Sequence, residues 1–162
     1  MIRGVHHISV HVRDLDRMIE FYKAALGFEP AGEQFSWTQD DSNPERVLGV
    51  RGTAARGVML RAGNCYVELF EYASPEPVSV RPLEAFDKGY THFCVDIQDI
   101  ENEYERLKDL GVTFCGPAPV DVTDDVTTVY GRDPEGNLIE FQQVNLGSKT
   151  GFGLDELDAV QI

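Results

Sequence analysis

The sequence is short of positive charge, short of cysteine and without a long apolar run. Lys and Arg number 14 against 28 Asp and Glu, a formal net charge of −14 over 162 residues. A chain this acidic repels phosphate backbones, which excludes nucleic-acid tracking but leaves room for a local basic pocket that holds a small anion. No stretch approaches the ~18 apolar residues of a membrane span. The opening residues, Met-Ile-Arg-Gly-Val-His-His, lead straight into a strand-like alternation, so no secretion signal is expected there. Cys65, Cys94 and Cys115 form no Cys-x-x-Cys pair and their number is odd. Three free thiols in a reducing, cytoplasmic setting are expected. What is present is ordinary for a globular chain: 42% hydrophobic and 26% charged residues, at a length of about one domain.

The chain reads as one unit given twice. Residues 5–27, VHHISVHVRDLDRMIEFYKAALG, align with residues 90–111, YTHFCVDIQDIENEYERLKDLG, when His7 is set against His92. Val10 then meets Val95, Asp14 meets Asp99, and both stretches close on Leu-Gly. Further along, residues 66–70 (YVELF) align with 138–142 (LIEFQ), placing Glu68 against Glu140. Each half therefore opens on a His strand and closes on a Glu strand. Glu68 follows His7 by 61 residues and Glu140 follows His92 by 48, so the first half holds extra material around 38–55.

The opening strands alternate with period 2. Ile8, Val10 and Val12 oppose His7, Ser9 and His11, and Phe93, Val95 and Ile97 oppose His92, Cys94 and Asp96. On the closing strands Val67 and Leu69 face away from Glu68, and Ile139 and Phe141 away from Glu140. The apolar faces are expected to pack on helices. Asp14 and Asp99 are placed to cap those helices. Leu15, Met18, Ile19, Tyr22 and Leu26 form one core stripe, stopped by Gly27, and Ile100, Tyr104, Leu107 and Leu110 form the other, stopped by Gly111. Shorter strands are expected near 33–38, 55–63, 113–115 and 126–131, and Asp133–Asn137 reads as a turn with Gly136 at positive φ. Pro44 can start a short helix at its first position.

The fold class is then α+β, with two tandem βαβββ modules. Residues 1–146 make one domain: module 1 over 3–73, a proline-containing linker over 74–89, and module 2 over 90–144. A tail runs over 147–162, with a short helix near 154–160 as one reading.

A pseudo-twofold repeat of this kind brings His7, Glu68, His92 and Glu140 toward one point. Two imidazoles and two carboxylates suit a divalent ion such as Zn, Ni, Co, Mn or Fe(II). A carboxylate on an inward strand face needs a charge partner, and a metal supplies one. Such an ion polarises a carbonyl, and an adjacent carboxylate can then take the proton α to it.

These motifs resemble the vicinal oxygen chelate superfamily, which includes glyoxalase I, methylmalonyl-CoA epimerase, extradiol dioxygenases and fosfomycin thiol transferases. The resemblance is carried by residues 6–15 (HHISVHVRDL) with Phe21-Tyr22 and Leu26-Gly27, by Val67-Glu68-Leu69, by Thr91-His92-Phe93, and by Asp133–Asn137 with Ile139-Glu140-Phe141. It covers residues 3–144. It implies sheets curled around a metal site, usually in a homodimer. The His, Glu, His, Glu order is similar to bacterial glyoxalase I at all four places, whereas methylmalonyl-CoA epimerases usually carry Gln at the place of Glu68. Dioxygenases and fosfomycin enzymes need only two His and one Glu. Residues 79–89 depart from the Asn-Trp-Gly-rich stretch of glyoxalase I, so the resemblance implies metal chemistry more than it implies glutathione.

The reading that follows is a metal-dependent lyase or isomerase acting on a small carbonyl substrate. His7, Glu68, His92 and Glu140 are the metal ligands. One glutamate shuttles the α-proton; Glu140 is favoured, with Glu68 the nearly equivalent alternative. Two rival readings have their own signatures. An Fe(II) extradiol-type dioxygenase, using His11 or Tyr130 as base, would consume oxygen with a catechol. A non-enzymatic drug- or metabolite-binding protein would be stabilised by a ligand without turnover. Around the site simpler roles are expected. His6 is packed or exposed and Cys94 is a small buried residue. Tyr130 is sheet packing, with donation to a substrate oxygen as the alternative. Arg61, Arg81 and Arg132 are solvated charges, with a substrate anion as the alternative. Residues 43–56 are a lid or a decoration.

Overall fold

The computed structural model describes residues 1–78, 81–145, 147, 153 and 154. The short helix expected near 154–160 lies outside the described residues apart from Leu154. The chain divides into two compact units, Met1–Arg81 and Pro82–Ile162.

Unit 1 runs β1 (His7–His11), α1 (Leu15–Leu26), β2 (Glu29–Pro30), β3 (Phe35–Trp37), α2 (Ser42–Leu48), β4 (Ala54–Ala62) and β5 (Cys65–Ser74). Its sheet has the order β1-β5-β4-β2, with β3 also on β4. The β1–β5 pair is parallel and the others are antiparallel. Unit 2 repeats the plan with β6 (His92–Asp96), α3 (Ile100–Asp109), β7 (Thr113–Phe114), β8 (Val120–Thr123), β9 (Val126–Arg132) and β10 (Leu138–Val144). Its order is β6-β10-β9-β7, with β8 also on β9. The expected βαβββ modules are there, as two mixed five-stranded sheets, neither closed on itself.

One difference from the expected strands has a local cause. The second strand of each module is broken in two, giving β2 and β3, and β7 and β8. Proline cannot donate to a strand ladder, and Pro30 with Gly32 (φ 140°) interrupts the first, while Pro117 and Pro119 interrupt the second.

The core of each unit lies between helix and sheet. Leu15, Met18, Ile19, Phe21, Tyr22 and Ala25 of α1 are buried, against Val58, Leu60, Val67 and Leu69 of the sheet. In unit 2 Ile100, Tyr104 and Leu107 are buried, with Val129, Ile139 and Phe141. Each such Leu, Ile, Val, Met or Phe side chain contributes ~1.5–3 kcal/mol relative to exposure. Leu110, expected in the stripe, falls at the end of α3 and is 40% exposed.

The helix starts differ. Asp14 Oδ1 accepts from Arg17 N at 3.1 Å, as expected of a cap. Asp99 does not cap: at φ 57° its carboxylate turns to Asn102 Nδ2 at 2.7 Å. In its place Gln143 Oε1 accepts from Ile100 N at 3.0 Å. Glu71 Oε2 does the same for Leu15 N at 2.8 Å. Glu71 and Gln143 each lie three residues beyond the repeated Glu, so the closing strand caps the helix in both units. Asp133–Asn137 forms the expected turn: Asp133 Oδ1 accepts from Glu135 N and Asn137 N, both at 2.9 Å, and Gly136 has φ 94°. In the longer first module, α2 holds Pro44 at its third residue, not its first, and buries no side chain.

Candidate functional site

In unit 1 the parallel β1–β5 register sets His7 beside Tyr66 and Ser9 beside Glu68. His7 Nε2 then lies 3.4 Å from Glu68 Oε2. The other ring nitrogen, Nδ1, is 3.0 Å from Nδ1 of His6. If His7 Nδ1–H donates there, its Nε2 is left with a lone pair for a cation. His6, exposed as expected, thus turns back to orient its neighbour and lies over Tyr66 at 5.2 Å. The same face of the sheet carries an aromatic cluster. Phe70 is 5.7 Å from Phe35, 5.6 Å from Trp37 and 5.4 Å from Tyr72. Gly57 makes this packing fit, since a Cβ there would lie 2.9 Å from Phe35, from Phe70 and from the Leu69 carbonyl. Burial, and then the charge of Glu68, push the Tyr72 phenol up.

In unit 2 the register is the same: His92 beside Leu138, Cys94 beside Glu140. His92 Nε2 is 3.3 Å from Glu140 Oε2. Thr91 Oγ1 is 2.9 Å from His92 Nδ1, the role His6 has in unit 1. Two hydroxyls reach the carboxylate from β9: Tyr130 OH donates to Glu140 Oε2 at 2.9 Å, and Thr128 Oγ1 lies 2.9 Å from Glu140 Oε1. Tyr130 OH is also 3.3 Å from His92 Nε2. Its role therefore exceeds the sheet packing expected of it. Burial first, then the Glu140 hydrogen bond and charge, push its phenol up to about 12. Cys94 is exposed, not buried as expected. Even so, partial desolvation, followed by the charges of Glu140 and Asp96, pushes its thiol up to about 12.

Each half-site is thus one imidazole nitrogen and one carboxylate oxygen aimed at each other. Ligands about 2.1 Å from one ion stand roughly 3.0–3.4 Å apart when adjacent on an octahedron or tetrahedron, and both pairs fall at that upper edge. The glutamate side chains are only 15% and 18% exposed, and neither has a Lys or Arg partner among the described residues. A divalent cation fits such donors. Among the described residues, no three His, Cys, Asp or Glu gather around one point. The structure therefore joins His7 to Glu68 and His92 to Glu140, each within its own unit.

Other candidates take different roles. Arg132 is an anchor, donating to Leu83 O at 2.9 Å, Gly136 O at 2.8 Å and Glu84 at 2.7 Å. A groove of about 500 Å³ in unit 1 is lined by Trp37, Asp40, Arg56 and Glu71 among others. It includes neither half-site, and its Arg56 and Glu71 are already paired to each other at 2.8 Å. The half-sites, unlike the groove, present donors that are aimed at each other and repeated in both units.

Comparisons with known proteins identify the family and the fold. A family model described as the Glyoxalase/Bleomycin resistance protein/Dioxygenase superfamily matches residues 4–141. A 2-epi-5-epi-valiolone epimerase from an Actinomyces species is 33% identical over 154 residues, covering 90% of this chain and 81% of that protein. The metallothiol transferase FosB of Staphylococcus epidermidis is 25% identical, covering 93% of this chain and 89% of its own. Among solved structures, a glyoxalase family protein from Bacillus cereus has a TM-score of 0.79 at 22% identity, covering 90% of this chain and 96% of that one. The fosfomycin resistance protein FosX of Listeria monocytogenes, solved with Mn(II) and sulfate, has a TM-score of 0.58 at 19% identity, covering 93% and 99%. At these identities the two structures speak for the fold alone.

Proposed function

Because the chain belongs to the glyoxalase/bleomycin resistance protein/dioxygenase superfamily, we propose that it is a metal-dependent enzyme of the isomerase–lyase kind. Its substrate is a small carbonyl compound, and its chemistry is transfer of the proton α to that carbonyl. The observation that carries this reading is the pair of His/Glu contacts, 3.4 and 3.3 Å, at one register in two repeated sheets. The 33% identity to an epimerase supports it, since epimerisation next to a carbonyl proceeds through the same α-proton transfer.

In this proposal His7, Glu68, His92 and Glu140 hold one divalent ion: Zn, Ni, Co, Mn or Fe(II). When bound, the ion supplies Lewis acidity that makes the neighbouring C–H acidic. His6 and Thr91 orient the two imidazoles through Nδ1. One glutamate takes the α-proton and returns it. The aromatic face beside Glu68 keeps water from the reacting carbon. We also propose a homodimer, supported by Phe86, 85% exposed, and the fully exposed Tyr90 just before β6. The three free thiols support a reducing, cytoplasmic setting.

The test is proton NMR in D2O with a cyclic α-hydroxy ketone such as 2-hydroxycyclohexanone. Exchange of the α-proton should require the protein, stop with EDTA and return with added divalent ion. The identity to FosB favours a second reading, metal-dependent thiol transfer. Consumption of fosfomycin only in the presence of a thiol, with no α-proton exchange, would select it.

A further inference from the structure

We propose that the two glutamates do unlike work: Glu140 is a fixed ligand locked by Thr128 and Tyr130, and Glu68 is the base that swings to the α-proton. This rests on the metal-dependent proton-transfer reading above, and it reverses the preference for Glu140 that the sequence suggested.

The symmetry of the repeat is broken around the two carboxylates. On β9, Tyr130 stands opposite Glu140, and Thr128 opposite Gln142. The matching positions on β4 are Met59, opposite Glu68, and Gly57, opposite Phe70. Two hydroxyl donors in unit 2 are thus replaced in unit 1 by a thioether and by no side chain at all. The consequence is visible at the carboxylates. Glu140 Oε2 accepts from Tyr130 at 2.9 Å and Oε1 from Thr128 at 2.9 Å, the Thr128 proton being shared with the Phe141 carbonyl at 3.0 Å. Glu68 has one polar contact among the described residues, His7 at 3.4 Å.

A carboxylate that shuttles a proton must rotate to aim an oxygen lone pair at the carbon acid. For Glu140 that rotation breaks two charge-assisted hydrogen bonds, each roughly twice as strong as a neutral one. For Glu68 it breaks none. Sheet packing alone does not explain Thr128 and Tyr130, because packing does not require both hydroxyls to point at opposite oxygens of one carboxylate. The step is balanced simply. The α C–H bond breaks, the proton joins a Glu68 oxygen, and the electron pair moves to the substrate's carbonyl oxygen. The reverse transfer to carbon restores the Glu68 carboxylate.

Co(II) binding, followed by its visible absorption and by equilibrium dialysis, tests the division directly. Tyr130→Phe and Thr128→Val preserve shape while removing the hydroxyls, and each should weaken Co(II) by about 10–100-fold, with an altered absorption band and unchanged far-UV circular dichroism. Met59→Leu, the matched control, should leave affinity and band as in the wild type. Glu140→Gln should weaken Co(II) by at least about tenfold more than Glu68→Gln does. With 2-hydroxycyclohexanone in D2O, Glu68→Gln should abolish exchange at saturating Co(II), whereas in Glu140→Gln exchange should rise again as Co(II) is raised. Equal losses in the two Gln variants, or Tyr130→Phe and Thr128→Val with wild-type affinity, would overturn the proposal and leave the metal reading standing. A wild-type protein that takes up no Co(II) would overturn both. The affinity ranking tests the locking of Glu140 even for a ketone the enzyme does not turn over, and the exchange arm tests the base role of Glu68.

Discussion

Glu71 allows a quantitative test of how each module is held together. Its Oε2 accepts from Leu15 N at 2.8 Å and from Arg56 Nη2 at 2.8 Å, while Arg56 keeps a second carboxylate, Asp16, at 2.7 Å. Glu71→Ala removes an acceptor from the first backbone N–H of α1, worth about 1 kcal/mol by analogy with cap truncations. It also removes a partly exposed ion pair, worth about 0.5 kcal/mol. The expected loss is about 1.5 kcal/mol. Glu71→Gln keeps an amide oxygen for Leu15 N, as Gln143 does for Ile100 N, so it should cost only about 0.5 kcal/mol. Urea unfolding followed by the fluorescence of Trp37, the single tryptophan, measures both. The pH dependence has a definite sign. The Arg56 hydrogen bond, followed by the Leu15 N–H, holds the Glu71 carboxyl below its ordinary value of 4.5. The stabilisation is therefore fully present above that value and lost as pH falls through the lowered one. The gap between wild type and Glu71→Ala should narrow in acid. A Gln variant as damaged as the Ala variant would refute the capping role, and a gap constant into strong acid would refute the charge pairing.

Other expectations follow from single contacts. Gly57→Ala puts a methyl group 2.9 Å from Phe35, Phe70 and the Leu69 carbonyl, so it should cost about 1–3 kcal/mol as overpacking and shift Trp37 emission. Unchanged emission and stability would show that the cluster yields freely. Phe141 is fully buried in unit 2, and Phe141→Ala should cost about 3–5 kcal/mol in chemical denaturation. If the homodimer forms through the exposed Phe86 and Tyr90, the double substitution to Ser should give monomers in sedimentation velocity; dimers that persist would place the interface elsewhere.

Much of this was legible in the sequence because the repeat is written in period-2 strands with chemistry on one face. Aligning His7 with His92 and Glu68 with Glu140 picks out the residues that each sheet brings within 3.4 and 3.3 Å, although among the described residues no three such groups gather around one point. The helix stripes are legible for the same reason, being fixed by burial that recurs at helical spacing. What escaped depends on register and backbone shape. Tyr130 can be placed opposite Glu140 only by counting back from the Asp133–Asn137 turn, which sets Arg132 against Leu138. Thr128 then lies opposite Gln142, one step along the same face. Asp99 matches Asp14 in sequence, but its left-handed backbone turns the carboxylate away from the helix start. The capping by Glu71 and Gln143 comes from a strand distant in sequence, so no local pattern announces it. His6 illustrates the limit of alternation: strand periodicity puts its side chain on the face opposite to that of His7, yet its ring returns to the Nδ1 of its neighbour.

The proposed site has His7, Glu68, His92 and Glu140 together binding one divalent ion. Elemental analysis of the untagged protein as isolated, by mass spectrometry without added metal, tests it most directly. About one ion of Ni, Co, Zn, Mn or Fe per chain is expected, lost in both His7→Ala and His92→Ala. A protein that carries no metal and takes none up on addition, or one whose metal survives either substitution, would contradict it.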